Sequence, residues 1–366
     1  MQYLLKSYLL LKYPMIMLQT IIIQNSGGKN MKTYNELMDE ARKNVGTLCH
    51  ACPVCNGKAC GNNMPGPGAR GDNAVRNFDA WKEIRVNLDT INENVTPDTS
   101  FDFFGRKLKY PIFAGPVGAM NMHYGDKYND LEYNDILLAK CDEAGIAAFT
   151  GDGLYPEIVI AATKAIKKHD GKGIPTIKPW DKDTLNEKFA LVKESGAMAV
   201  AMDIDAAGLP FLQNMEKPAG SKTVEELSEI IKDAGKPFIV KGIMTVKGAL
   251  KAKKAGASAI VVSNHGGRVL DDCPATAEVL PEIAAAVGGD MMILVDGGIR
   301  SGCDIFKALA LGADAVLIAR PYVTAVYGDA ENGVSILTEK LGKELRETMK
   351  MCGCASLTDI DDSCIW

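Results

Sequence analysis

The sequence has no block of basic residues long enough to track a phosphate backbone. Its 41 lysines and arginines stand against 46 aspartates and glutamates, a net charge of −5 over 366 residues, which argues against nucleic acid as a partner. It also lacks an uninterrupted apolar run of the ~20 residues that a membrane-spanning helix needs. The apolar stretch Met1 to Ile23 is broken by Lys6, Lys12 and Pro14, and no small-residue cleavage site follows before the polar segment Gln24 to Asn30. Residues 1–30 therefore read as an extension outside the fold, with an upstream start ahead of Met31, and a membrane-surface anchor is the rival reading. The ten cysteines are neither dense nor evenly spaced, unlike a small disulfide-stapled secreted domain, so a reducing, cytoplasmic compartment is expected. Finally, no G-x-G-x-x-G follows the first candidate strand, against an open dinucleotide-binding sheet.

What is present is a rhythm. A short amphipathic helix (Tyr34 to Val45) and a Cys/Gly/Pro-rich loop (Cys49 to Gly71) fall in a pre-barrel segment, residues 31–109. From Tyr110 onward, short apolar runs recur at Ile112 to Ala114, Ala147 to Thr150, Ile174 to Ile177, Ala197 to Met202, Phe238 to Val240, Ala259 to Val262, Met292 to Val295 and Ala315 to Ile318. Helical patterns lie between them, among them Ser221 to Ala234, Val246 to Ala255, Ala277 to Val287 and Gly302 to Leu311. Eight strand–helix units over 110–366 predict one closed (β/α)₈ barrel of the α/β class, a TIM barrel, with a C-terminal helix. A barrel gathers its strand ends on one face, where the chemistry belongs.

The strand ends are polar in a consistent way. Strand five ends in Lys241, whose ammonium at the mouth of a buried run requires an anionic or dipolar partner unless it snorkels to solvent. Strand six runs into Ser263-Asn264-His265-Gly266-Gly267-Arg268, a base and a cation three residues apart, with a satisfied structural histidine as the bland alternative. Strand seven ends in Asp296-Gly297-Gly298-Ile299-Arg300 and strand eight in Ala319-Arg320-Pro321, where glycine amides, a helix N-terminus and two guanidiniums predict a phosphate site. Asp296 would repel a phosphate and suits a polyol hydroxyl. Strand four ends Asp203-Ile204-Asp205, carboxylates on one side of an extended strand, either of which could instead be a helix or loop cap. Asp205 is the candidate partner that fixes the tautomer of His265.

Upstream, Cys49-x₂-Cys52-x₂-Cys55-x₄-Cys60, with His50 inside, has the density of a metal or iron–sulfur ligand set, though its spacing matches no standard ferredoxin run. Iron–sulfur, zinc, a redox-active thiol pair and plain reduced packing cysteines all remain open. Cys352 and Cys354 are too few to assign, and Cys141, Cys273 and Cys303 read as packing residues.

The blocks from Ser263 to Arg268, Pro274-Ala275-Thr276, Asp296 to Arg300 and Arg320-Pro321, with the segment Asn77-Phe78-Asp79-Ala80-Trp81, resemble the FMN-dependent 2-hydroxy acid oxidases and dehydrogenases, from about Met31 to Ile360. Related FMN barrels such as the isopentenyl diphosphate isomerases lack the His/Arg block. The resemblance implies FMN as cofactor and oxidation of a small (S)-2-hydroxy acid to the 2-oxo acid, His265 taking the hydroxyl proton as hydride passes to flavin N5, with Asp205 in support. It implies Arg268 on the substrate carboxylate and Lys241 beside flavin N1. Gly115, Pro116, Val117, Gly118 and Thr150 would lie against the isoalloxazine with Ser263 near, Asp296 would bind ribityl hydroxyls, and Gly298, Arg300 and Arg320 the phosphate, with Gly297 and Ala319 also binding the cofactor. It further implies O₂ or another redox carrier as acceptor and a homotetramer.

The substrate half departs from the family. Lys178 stands where a substrate-contacting tyrosine is expected, Leu212 where a second carboxylate-binding arginine is expected, and Cys52 near a second tyrosine; the connection after Asp205 is also short. Lys178 is therefore a candidate second anion contact, and Gly118, where several oxidases have alanine, leans toward a dehydrogenase. Two other readings stand beside the first: an FMN reductase or isomerase of a non-hydroxy-acid substrate, and a flavin/cysteine redox sensor with little turnover. The cysteine loop, placed beside the flavin by the resemblance, suggests an electron relay.

Overall fold

The computed structural model describes residues 31–366 except 61–70 and 95. The fold below is that of Lys32–Trp366. The expected extension at 1–30, and part of the Gly/Pro-rich loop, lie outside the described residues.

Eight parallel strands close a barrel: β1 (Ile112–Ala114), β2 (Ala147–Thr150), β3 (Ile174–Ile177), β4 (Val200–Asp203), β5 (Phe238–Ile243), β6 (Ala259–Val262), β7 (Met292–Val295) and β8 (Ala315–Ile318), with β8 pairing back onto β1. Their sequences read as continuous apolar runs because both faces are buried. Phe113, Phe149, Ala201, Ile239, Val261, Leu294 and Leu317 fill the interior. Alternate residues such as Ile112, Val200, Val240, Ile260 and Val316 point outward into the layer beneath the helices.

One end of the barrel is plugged by a hairpin that the sequence rhythm did not announce, Phe101–Phe103 paired with Arg106–Leu108. Phe103 stacks edge-on against Phe113 at 4.7 Å, which in turn meets Phe149 at 5.5 Å. The amide after the hairpin, Lys109, donates to Gly145 O just ahead of β2, so the plug sits at the N-terminal ends of the strands. The polar strand ends are left open at the other.

Helix boundaries follow cap chemistry. Val224–Ala234 begins three residues later than the pattern from Ser221, because Thr223 is the N-cap and exchanges reciprocal hydrogen bonds with Glu226. Strand four starts at Val200 rather than Ala197 and includes Asp203, where its register with β5 begins and ends. Among the described residues no helix is long and apolar enough to cross a membrane.

The pre-barrel helix Asp72–Glu83 packs against the loops after β6 and β7. Its Trp81 is fully buried and donates from Nε1 to Gly297 O at 2.7 Å. A Cβ on Gly298 would lie 2.1 Å from Asn77 O, and its φ of +82° is a left-handed conformation, so only glycine permits this contact.

Candidate active site

At the C-terminal ends of the strands lies a cavity of about 550 Å³. His265 enters it on the turn after β6, in the left-handed region at φ +57°, an uncommon conformation for a side chain of its size. The turn is held from behind. Asn264 exchanges hydrogen bonds with Asn77 at 2.7 and 3.0 Å and accepts from Gly267 N, while Ser263 Oγ accepts from His265 N at 3.1 Å. His265 Nδ1 lies 3.1 Å from Asp205 Oδ1. With an ionised carboxylate as partner, Nδ1 carries the hydrogen and Nε2 keeps its lone pair.

Asp205 does not sit on an extended strand beside Asp203 as the sequence pattern implies. Strand β4 stops at Asp203, and Ile204–Gly208 winds into a 3₁₀ turn. Its approach is made possible by Gly242, where the β5–β6 register shifts: at φ +104°, a Cβ there would be 2.6 Å from Asp205 Cγ. Burial alone would raise the Asp205 carboxyl, but the neighbouring His265, Lys241 and Lys178 outweigh it and hold it below the ordinary carboxylate value.

Lys241 is buried, donates to Ser263 Oγ at 3.0 Å and lies 3.4 Å from Asp296 Oδ2. Burial opposes its charge, yet Asp296, Asp205 and Asp203 raise its pKa, so it stays an ammonium rather than snorkelling. Lys178 lines the cavity and its Nζ is 3.2 Å from Asp203 Oδ2, so its charge is already balanced by a buried carboxylate. Leu212 is fully buried and does not line the cavity. Behind Lys178, Asp152 ties two loops together, accepting from Lys188 Nζ (2.9 Å), Trp180 Nε1 (2.7 Å) and the Lys178 amide (3.1 Å).

Arg268, Arg300 and Arg320 converge on the same cavity, and none of the ion pairs between described residues involves any of them. Arg268 Nη2 faces His123 Nε2 at 3.5 Å. Arg300 donates from Nε to Cys55 O at 2.8 Å and places Nη2 3.7 Å from Cys55 Sγ, while Arg320 Nη1 is 3.9 Å from Cys60 Sγ. After β7, Ser301 and Asp304 cap the helix Gly302–Ala310 themselves. After β8, the helix Arg320–Gly328 has no side-chain cap, so of the two N-termini this is the one open to an anion.

All four loop cysteines and His50 line the cavity, but the sulfurs do not form a ligand set. The one group of three potential ligands that converges among the described residues is Asp203, Asp205 and His265, within 4.8 Å. Cys55 turns to Arg300 and Cys60 to Arg320 instead. Of the other cysteines, Cys354 and Cys364 bring their sulfurs to 3.8 Å in the C-terminal tail, a pairing that sequence spacing does not disclose.

The residues fit FMN. Three partly buried guanidiniums without carboxylates demand an anion, and buried oxygens of Thr176 (Oγ1), Asp203 (Oδ1) and Asp296 (Oδ1) have no hydrogen-bond partner among the described residues, as a polyol and a heterocycle would supply. Pro116, Val117, Gly118, Gly297, Gly298 and Ala319 line the cavity with Lys241 and Asp296, whereas Gly115, Thr150, Ser263 and Asp205 stand behind the lining. Sequence reasoning missed His123 and the Asp152–Lys188 pair. Asp152 ends the segment after β2 and yields to the same strand-end rule. His123 lies in the five-residue helix Met120–Tyr124, too short to show a pattern.

His123 adds a pH dependence. Its Nδ1 is 3.0 Å from Gly118 O, so it donates there, and burial followed by the charge of Arg268 pushes its pKa below the ordinary 6.5. The unfolded chain then binds this proton more readily than the folded one, so its contribution to stability is present above about pH 6.5 and is lost as the pH falls. Urea unfolding at pH 7.5 and 5.5 should show a smaller acid loss in His123→Asn than in wild type.

A closed parallel barrel with a histidine–carboxylate pair, a buried lysine and an arginine-lined anion site defines a TIM-barrel flavoprotein oxidoreductase. The profile of the FMN-dependent dehydrogenases matches residues 66–211 and 210–366, and the chain belongs to this family, the FMN-dependent 2-hydroxy acid oxidases and dehydrogenases. An L-lactate oxidase of Lactobacillus jensenii is 30% identical over 78% of this chain and 75% of its own length. The 4-hydroxymandelate oxidase of Amycolatopsis orientalis is 47% identical over 77% of this chain and 87% of its own. Others match over less: an L-lactate oxidase of Roseobacter sp. (strain GAI101) is 46% identical over 38% of this chain and 37% of its own length. Among solved structures, a mandelate oxidase variant with 2-hydroxy-phenylacetamide superposes with a TM-score of 0.72 at 26% identity, over 90% of this chain and 96% of that one.

Proposed function

We propose that this enzyme oxidises an (S)-2-hydroxy acid to the 2-oxo acid, with His265 as the base. The observation that carries the reading is the pairing of His265 Nδ1 with Asp205 in the cavity that also receives the Arg268 guanidinium, which has no carboxylate of its own. Arg268 binds the substrate carboxylate, and the fixed tautomer directs Nε2 at the hydroxyl hydrogen. Asp205 stabilises the imidazolium that results. FMN, when bound, supplies the hydride acceptor. Lys241 holds positive charge where the flavin N1 edge is expected, Asp296 accepts from the ribityl chain, and Arg300 and Arg320 take the phosphate. Met122, Leu154, Leu209 and Phe211 line the remaining wall and leave room for an apolar side chain on the acid. Residues 110–366 are the FMN-binding unit and 31–109 the pre-barrel segment that supports it.

Anaerobic mixing of the yellow protein with a panel of 2-hydroxy acids should bleach the flavin absorbance with at least one of them. Arg268→Met should raise KM for that acid more than tenfold, since a charge-assisted bidentate contact is worth about 1.5–3 kcal/mol. Lys178→Met tests whether Lys178 contributes a second anion contact; an unchanged KM for every acid removes it from that role. The second reading, a reductase or isomerase of a different substrate, is favoured by the engagement of Lys178 with Asp203 and the burial of Leu212. Rapid flavin reduction by a nicotinamide or protein donor, with none by any hydroxy acid, would select it.

A further inference from the structure

We propose that Cys52 and Cys55 form a redox-active dithiol that shares the cavity with the cofactor and carries two electrons from it to an external disulfide. The inference uses the family's FMN but not the identity of the acid oxidised. Cys52-Pro53-Val54-Cys55 has the Cys-x-x-Cys spacing of thiol–disulfide exchange, and both cysteines line the cavity with Lys241 and Arg300. The two thiols are placed unequally. Arg300 fixes the backbone of Cys55 through its carbonyl and sets Nη2 3.7 Å from the sulfur. Burial would raise the Cys55 thiol, but Arg300 and Arg320, which a bound phosphate would also draw on, outweigh it and lower it, whereas burial and the charge of Cys55 raise Cys52. An attacking thiolate beside a resolving thiol is the arrangement that exchange chemistry uses. Val54, between them, is 53% exposed, so the loop meets solvent where an acceptor can reach it.

Two electrons from the cofactor and one proton cleave a Cys52–Cys55 disulfide to the Cys55 thiolate and the Cys52 thiol. The Cys55 thiolate then attacks one sulfur of the external disulfide and expels the other as a thiolate. Cys52 gives its proton to the expelled thiolate, attacks the mixed disulfide at Cys55, releases the second thiolate and restores the internal bond, so the external disulfide gains both electrons.

The test is an anaerobic reductive titration of holoenzyme that has been oxidised with diamide and freed of it. Wild type should take up about two electron equivalents more per FMN than Cys55→Ser or Cys52→Ser before flavin reduction is complete, a difference to which Cys354 and Cys364 do not contribute, since each couple is a two-electron one. Equal uptake by wild type and the variants would overturn the proposal. Should either variant fail to fold, mass spectrometry of wild type decides: a Cys52–Cys55 linkage before titration that is absent after it supports the pair, and no such linkage overturns it.

Discussion

Replacing His265 with glutamine should lower kcat for the acid that bleaches the flavin by about 10²–10⁴-fold, the usual worth of a positioned general base. Glutamine preserves polarity and approximate volume, so the flavin should still bind and the fold should stand. The turn that presents residue 265 is held by Asn264, Asn77 and Ser263, not by the imidazole itself. Stopped-flow reduction of the bound flavin reads the step directly. Asp205→Asn should fall in the same direction, because the imidazolium would lose its counter-charge and the imidazole the carboxylate that fixes its hydrogen on Nδ1. A loss of less than tenfold in His265→Gln would remove His265 from the role of base.

The second large effect is on stability. Asp152→Ala should destabilise the fold by about 3–5 kcal/mol, because it leaves Lys188 as an uncompensated buried charge. The Asp152 side chain is fully buried, Lys188 is 8% exposed, and their closest atoms are 2.9 Å apart. The same carboxylate accepts from Trp180 and from the backbone of Lys178 and Gly153. The double change Asp152→Ala with Lys188→Met should recover much of the loss, since removing both charges costs far less than removing one. Denaturant unfolding of the two variants separates these outcomes; equal destabilisation in both would mean that the cost comes from the lost loop anchors rather than from the stranded lysine.

Much of the barrel was legible because its strands are buried on both faces. That burial writes eight short apolar runs into the chain, each ending in a polar residue that must face the mouth. Lys241, His265, Asp296, Arg300 and Arg320 could be read at those ends for the same reason. The hairpin from Phe101 to Leu108 could not, since strands of three residues carry no periodicity and their function as a plug depends on Phe113 and Phe149 lying beneath them. Lys178 was legible as a cation on the substrate side, but not as one already neutralised by Asp203.

The sequence by itself determined the class of this protein: a parallel barrel whose strand ends carry a histidine, a lysine and arginines, since these follow from residue type and period alone. The tertiary structure decided which groups meet. A left-handed glycine at 242 admits Asp205 to His265, Arg268 faces a neutral His123, and Cys55 and Cys60 of the cysteine loop turn their sulfurs to Arg300 and Arg320. Those contacts join residues far apart in the chain, and only packing sets the distances over which charge and hydrogen bonding act.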